Sequence, residues 1–232
     1  MDYFDFKQFR VYQHKSAFKT GTDGVLLGAW SDTSSATSIL DIGTGTGLLA
    51  LMVAQRSGAR IIALEPDEQS FEQALDNIRI SPWKNRIRVL NTKVQDYFPD
   101  HKFDLIVTNP PFFRESLVNK DERISGARHN LNLSYGELLE AAERLIADSG
   151  IFSLVLPYAE AALFIAEAAD YELYCNKILR VKPLPSAPVK RMLMEFGKEK
   201  RELQQSFLTI ETARHDYTYE YKKLTADFYL DF

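Results

Sequence analysis

Cysteine is almost absent from this chain. Cys175 is the single one among 232 residues, so no intramolecular disulfide and no cysteine cluster for zinc can form. Its neighbours Leu173 and Tyr174 mark it as a packing residue, and nothing nearby would lower its pKa enough for nucleophilic work. The four histidines, His14, His101, His129 and His215, show neither HxH nor HxxxH spacing, so no protein-bound metal is expected. Long apolar runs are missing as well. No segment approaches the roughly 20 residues that span a bilayer, and the start Met1-Asp2-Tyr3-Phe4-Asp5-Phe6 has neither the basic nor the apolar region of a signal peptide. The expectation is a cytoplasmic protein with no membrane partner.

What is present suits one α/β domain, or one with a small appendage, able to fold alone. Hydrophobic residues make up 45% and charged residues 26%, the balance of a soluble globular chain. Net charge is −4, which argues weakly against a polyanion partner, yet the charge is segregated. Between Lys177 and Arg201 stand eight basic residues (Lys177, Arg180, Lys182, Lys190, Arg191, Lys198, Lys200, Arg201) and two acidic ones (Glu195, Glu199). Such a stretch is either a solvated face or a contact for nucleic acid.

Short apolar runs alternate with helical patterns through the middle of the chain, the signature of a parallel sheet covered on both faces. Strands are expected near 38–42, 60–65, 86–91, 103–108 and 150–156, with helices near 47–57, 67–79, 135–147 and 158–168. Gly58 and Gly150 fall just past two helices, where left-handed caps are expected. After Ala169 the segments Tyr171–Tyr174, Lys177–Val181, Arg191–Phe196 and Ser206–Ile210 read as strands without intervening helices, an antiparallel hairpin-like addition. The proline-rich link 183–188 reads as an extended, exposed loop. The fold class is a doubly wound α/β core.

Two short segments carry the chemistry. Ile39-Leu40-Asp41-Ile42 runs into Gly43-Thr44-Gly45-Thr46-Gly47, which opens a helix at Leu48. Glycines there permit a sharp turn and close approach of a ligand, and the helix start offers free N–H groups. The spacing is G-x-G-x-G, one residue shorter than the dinucleotide fingerprint, which weakens an NAD reading. No Walker lysine follows and no arginine stands near the turn, which disfavours ATP. Glu65 ends the next apolar run, where an acid can accept both ribose hydroxyls of an adenosine. Asp96, after the third strand, is placed to bond an adenine amino group or is a solvated loop acid, while Asp67 and Glu68 read as helix N-terminal acids.

The second segment is Asn109-Pro110-Pro111-Phe112, at the end of the run Phe103–Thr108. It joins an amide, rigid carbonyls held by tandem prolines and an aromatic ring, but has no nucleophile, metal ligand or strong acid. Such a turn holds a planar amine: the Asn109 oxygen and the Pro110 carbonyl accept the amine hydrogens, and Phe112 stacks on the ring.

Asp41 to Gly47, Glu65, Asp96 and Asn109 to Phe112, in this order, resemble the motifs of class I S-adenosylmethionine-dependent methyltransferases, in the subset that modifies amino nitrogens of adenine, cytosine or glutamine. The stretch Phe9 to Trp30, the segment Asn109 to Phe113, Arg123-Ile124-Ser125-Gly126-Ala127-Arg128-His129 and Leu224 to Leu230 further resemble the bacterial tRNA(Val) adenine-N6-methyltransferases across nearly the whole chain. That resemblance implies a Rossmann-like, mostly parallel seven-stranded sheet with an antiparallel C-terminal strand, in which residues 1–37 cover the cofactor and substrate and 38–232 form the core. It implies S-adenosylmethionine as cofactor, held by Lys19, Thr20, Asp23, Asp41, Gly43, Gly45, Gly47, Glu65, Asp96 and Asn109. It implies a tRNA substrate, adenine 37 of valine tRNA, met by Asn109, Pro110, Pro111 and Phe112, and a monomeric enzyme. Arg128 and His129 either contact RNA or belong to a loop bonded to itself; Trp30 and Trp83 read as packing residues. A protein-glutamine methyltransferase is the alternative. It usually carries a helical N-terminal domain and Tyr after the prolines, whereas about 38 residues precede this core and Phe112 stands there. A DNA adenine methyltransferase would normally add a target-recognition region, and none is apparent.

Overall fold

The computed structural model describes residues 2–16, 19–110 and 133–231. Strands β3 (Ser38–Ile42), β4 (Arg60–Leu64), β5 (Ile87–Leu90), β6 (Phe103–Thr108) and β7 (Ile146–Pro157) are mutually parallel. They read as near-continuous apolar runs because both faces are covered, so period-2 alternation has no solvent side to mark. Ile39 faces one core cluster, and Leu40 and Ile42 face the other. The first cluster is capped by α1 (Thr22–Trp30), α2 (Leu48–Arg56) and α3 (Glu68–Arg79), the second by α4 (Tyr135–Leu145) and α5 (Tyr158–Ala168).

Helix ends follow local chemistry. Asp67 caps α3, accepting from Ser70 N at 2.9 Å, as expected of an acid at a helix start. Ser134 and Glu137 form a reciprocal capping box at the start of α4. The expected left-handed caps do not occur. Ser57 ends α2 in an extended conformation, and Gly150 lies inside β7, beside the register shift between β6 and β7. A Cβ at Gly150 would stand 2.8 Å from Phe103 O and from Ile146 Cγ1, so glycine there serves close backbone approach. Among the described residues, the glycines with positive φ are Gly43, Gly45 and Gly47.

The main sheet has the order β10-β8-β9-β7-β6-β3-β4-β5, with β8 (Tyr174–Lys182), β9 (Arg191–Gly197) and β10 (Gln204–Thr209). Among the described residues, only β9 runs against its neighbours β7 and β8. The expected antiparallel C-terminal strand is therefore β9, but the sheet has eight strands among the described residues where seven were expected. The strand expected at Ser206–Ile210 is β10, which pairs with β8 in parallel and not antiparallel, from Gln204↔Lys177 to Thr209↔Lys182. As the outer strand it keeps its polar residues and Phe207 in solvent, the latter 66% exposed. The expected strand at Tyr171–Tyr174 is instead a short 3-10 turn, Ala169–Tyr171, followed by Glu172 at φ 56°; β8 begins only at Tyr174.

The two ends of the chain meet. A hairpin of β1 (Tyr3–Asp5) and β2 (Arg10–Tyr12) presents Phe6 and Phe9, stacked at 4.6 Å, to the first core cluster. Phe6 also stacks with Tyr229, and Lys7 N donates to Phe228 O at 2.8 Å. A second small pair, β11 (Glu211–Ala213) and β12 (Asp216–Tyr217), leads into α6 (Tyr219–Thr225), beyond which Phe228 is 1% exposed. Trp30 and Trp83 pack against the same cluster, as expected.

Candidate active site

The strand order reverses between β3 and β6: the chain leaves β3 toward β4 and β5, then returns to β6 on the other side. Ligands of open α/β sheets bind at this reversal, beyond the strand ends. Here it opens into a cavity of about 550 Å³.

Its floor is the turn between β3 and α2. Asp41 is fully buried and accepts hydrogen bonds from Thr44 Oγ1 and from Ala50 N, the latter at 3.1 Å. Burial pushes its carboxyl up to about 7 against those two bonds. Asp41 does not line the cavity; it acts as a strut that shapes the turn from behind. Gly43 N and Thr44 N both donate to Leu64 O at 2.9 Å, which stitches the turn to β4. Gly43 and Gly45 sit at φ 70° and 58°, a conformation costly for residues with a Cβ, and nothing lies within 4 Å of where a Cβ would stand. Both line the cavity, so their missing side chains leave space for a ligand. Gly47 caps α2 instead: its Cβ position faces Ala74 and Ile78 of α3, not the cavity.

Glu65 closes one side. It is 2% exposed, with Oε2 accepting from Gly45 N at 2.8 Å and Oε1 from Asp67 N at 3.0 Å. Each oxygen keeps a further lone pair for a hydroxyl donor. Burial raises its pKa to about 7, the two backbone N–H groups opposing that rise. Thr92, Lys93, Val94 and Gln95 line the adjoining wall. Asp96, the next residue, is exposed and is not among the lining residues; the structure does not bring it to the others.

Asn109 and Pro110 form the opposite wall at the end of β6, with Thr108 Oγ1 donating to Ile42 O at 2.8 Å to tie β6 to β3. Residues 19–24 supply the roof. Lys19, Thr20 and Asp23 all line the cavity, and Asp23 Oδ2 accepts from Arg191 Nε at 2.7 Å. Thr20 Oγ1 is buried with no hydrogen-bond partner among the described residues, although Thr20 N donates to Gln13 Oε1 at 2.8 Å. Pro111, Phe112, Arg128 and His129 lie outside the described residues.

Arg191 and Thr108 are cavity residues that sequence reading missed as such. Arg191 stood out only as one charge in a basic stretch. Its partner Asp23 is 168 positions away, and no local pattern announces that pairing. Cys175, by contrast, behaves as expected: half-buried, its thiol is pushed up to about 12 by burial.

An open, mostly parallel sheet with a positive-φ glycine turn at its switch point, an acid after the next strand and an Asn-Pro turn across the cavity defines the class I S-adenosylmethionine-dependent methyltransferase architecture. The Methyltransferase small domain family matches residues 11–158. Over nearly the full length, the chain is 47% identical across 231 residues to a tRNA1(Val) (adenine(37)-N6)-methyltransferase of Flavobacterium psychrophilum, covering 98% of this chain and 99% of that one. A protein of the same name from Trichodesmium erythraeum is 45% identical over 234 residues, covering 99% and 98%. Among solved structures, a predicted O-methyltransferase from Agrobacterium tumefaciens superposes with TM-score 0.70 at 23% identity, covering 89% of this chain and 96% of that one. The glycopeptide N-methyltransferase MtfA, complexed with S-adenosylmethionine, gives TM-score 0.57 at 13% identity, covering 79% and 96%. The chain belongs to the tRNA1(Val) (adenine(37)-N6)-methyltransferase family.

The residues present fit the cofactor. The open space beside Gly43 and Gly45 admits a ligand against the backbone, the Glu65 oxygens have lone pairs for ribose hydroxyls, and Thr20, whose Oγ1 is without a partner among the described residues, lines the same cavity.

Proposed function

We propose that this chain transfers the methyl group of S-adenosylmethionine to the exocyclic N6 of an adenine in tRNA, adenine 37 of valine tRNA. The observation that carries the reading is Asn109-Pro110 facing the Gly43, Gly45 and Glu65 cradle across one cavity. S-adenosylmethionine supplies an electrophilic methyl on a positively charged sulfur. Glu65 holds the ribose through both oxygens, Gly43 and Gly45 let the methionine part approach the backbone, and Lys19, Thr20 and Asp23 cover it. Residues 1–37 thereby act as the covering segment over the core 38–232. Asp41 and Gly47 act by holding the turn, and Thr92–Gln95, not Asp96, form the wall beside Glu65 at the adenine end.

Adenine N6 is a poor nucleophile because its lone pair is delocalised into the ring. The Asn109 side-chain oxygen and the Pro110 carbonyl accept its two hydrogens, which localises the lone pair and aims it at the methyl group. The bound cofactor would supply the methyl group to that nitrogen, its sulfur keeping the S–CH3 bonding pair. The nitrogen then carries the positive charge and sheds one proton, being acidic enough to need no dedicated base. Phe112 stacks on the base, a contact worth roughly 1–3 kcal/mol, and Pro111 fixes the ring's approach. A base must leave the stack to enter such a cavity, which favours an unpaired loop position beside the anticodon. The enzyme acts as a monomer in the cytoplasm, where its tRNA substrate resides.

Mass spectrometry of nucleosides from valine tRNA, after incubation with the protein and labelled S-adenosylmethionine, tests the reading. The expected product is labelled N6-methyladenosine at position 37. Label in a protein glutamine or in DNA, with none in tRNA, would refute it.

A further inference from the structure

The basic stretch 177–201 is contiguous in sequence but not in space. It forms the hairpin of β8 and β9, and its charges divide between the two ends. The far end lies at Lys177, Lys198, Lys200 and Arg201. There Lys177 pairs with Glu195 at 3.1 Å, Lys198 with Glu143 at 2.8 Å and Arg201 with Glu199 at 2.9 Å, so most of its charge is answered within the protein. The near end holds Lys182, Lys190 and Arg191 around the proline loop, with Arg180 beside Met192 donating to Gln205 Oε1 at 2.6 Å. Arg191 is paired with Asp23 at the cavity, while Lys182 and Lys190 make no ion pair among the described residues.

Strand register places the near end beside the acceptor turn. Arg191 is opposite Pro157, and Thr108 is level with Leu154 on the same strand β7. Lys190 O accepts from Tyr158 N at 3.0 Å, fixing the loop against the end of β7. Arg191 is thus two strands across from Asn109 and about two residues further along, a separation of roughly 12 Å at the usual strand spacing and rise. The far end, seven residues down β9 at Lys198, falls about five residues short of Asn109 toward the opposite edge of the sheet, roughly 19 Å from it. Lys19 and Lys93, both exposed and both lining the cavity, continue the basic rim on the other side of Asn109.

We propose that the near end of this hairpin, through Lys182 and Lys190, is the docking surface for RNA phosphates flanking the target base, and that the far end takes no part. The inference rests on the tRNA reading above and adds the place where the backbone is held. Phosphate contacts fix register without reading sequence, which is what presenting one loop adenine to a cavity requires. Arg191 stays engaged by Asp23 and shapes the cavity roof.

The test compares two surface variants of equal charge change, Lys182→Glu/Lys190→Glu and Lys200→Glu/Arg201→Glu. The readouts are tRNA affinity across salt concentrations and S-adenosylmethionine affinity as a check of the cavity. The near-end variant should bind tRNA at least about tenfold more weakly at 0.1 M salt, with the log–log salt slope lowered by about 1.4, two single-strand phosphate contacts. Its cofactor affinity should be unchanged, and the far-end variant should match the parent in every readout. Unchanged tRNA affinity and slope in the near-end variant, or an equal loss in the far-end one, would overturn the proposal. A parent protein that neither binds nor methylates tRNA would instead overturn the tRNA reading itself.

Discussion

Lowering the pH should loosen S-adenosylmethionine through Glu65. In the free protein this carboxyl is 2% exposed and its pKa is raised to about 7, because burial outweighs the bonds from Gly45 N and Asp67 N. A protonated Glu65 loses acceptor capacity just where two ribose hydroxyls need it. If those hydroxyls return the carboxyl to its ordinary value of 4.5, one proton must leave for each cofactor bound below pH 7. The dissociation constant should then rise about 25- to 30-fold between pH 8 and pH 5.5, about 2 kcal/mol by proton linkage. Titration calorimetry at four or five pH values measures it directly. Glu65→Gln supplies the reference, since it keeps the ligand's own ionisations and those of Asp41 while removing this one. A flat profile in the parent protein, or the same slope in Glu65→Gln, would refute the reasoning.

The same group makes a second, opposite statement about the cofactor-free fold. Its folded pKa is raised, so the folded state holds more protons than the unfolded chain between the two values. Stability from Glu65 is therefore fully present below about pH 4.5 and is lost as pH rises through about 7. Asp41, raised from 3.8 to about 7, adds with the same sign. The carboxylates lowered by hydrogen bonds, Asp32, Asp104 and Glu137, complete their titration at lower pH. Between pH 5.5 and pH 8 the free protein should therefore melt at lower temperature as pH rises while it binds cofactor more tightly.

Two further outcomes separate the walls of the cavity. Asn109→Ala should abolish methyl transfer to tRNA while leaving S-adenosylmethionine affinity within about threefold, whereas Glu65→Ala should mainly weaken the cofactor; equal binding losses in calorimetry would contradict that division. Gly28→Ala should lower the melting temperature, by about 1–3 kcal/mol of overpacking, because its Cβ would stand 2.7 Å from Met52 Sδ and 2.8 Å from Met52 Cβ; an unchanged melt would show that α1 moves off α2 without cost.

The parallel core was legible because its strands are buried on both faces and its turns fall where glycine and proline punctuate the pattern. β3, β6 and α5 were placed to the residue for that reason. The glycine turn, Glu65 and Asn109 were legible because each ends a strand, and a strand's end is a local signal. What escaped was decided by contacts distant in sequence. A strand is expected from Ser206, but β10 begins at Gln204 and Gln205, which carry no apolar signal, and its parallel pairing with β8 has no local mark. Gly150 was read as a helix cap, yet its constraint comes from Phe103 on the neighbouring strand. Asp96 has the motif's chemistry, but its exposed position leaves the adjoining wall to Thr92–Gln95.

Residues 19–24 reach a cavity built by strands that follow them in the chain because of a glycine face. Gly24 and Gly28 are four positions apart in α1 and so lie on one side of it. A Cβ at Gly24 would stand 3.0 Å from Leu48 Cδ2, and one at Gly28 would collide with Met52, so the pair lets α1 settle against the first turns of α2. That helix begins at the cofactor turn, and the same Gly24 position is 3.8 Å from Asn109 Nδ2. Close packing of two helices therefore sets the distance between the roof and the acceptor amide, with Asp23 and Arg191 fastening the roof to β9. A Cβ at Gly24 would press Leu48 and stand in van der Waals contact with the Asn109 amide, so the packing of α1 on α2 reaches the acceptor turn through Gly24.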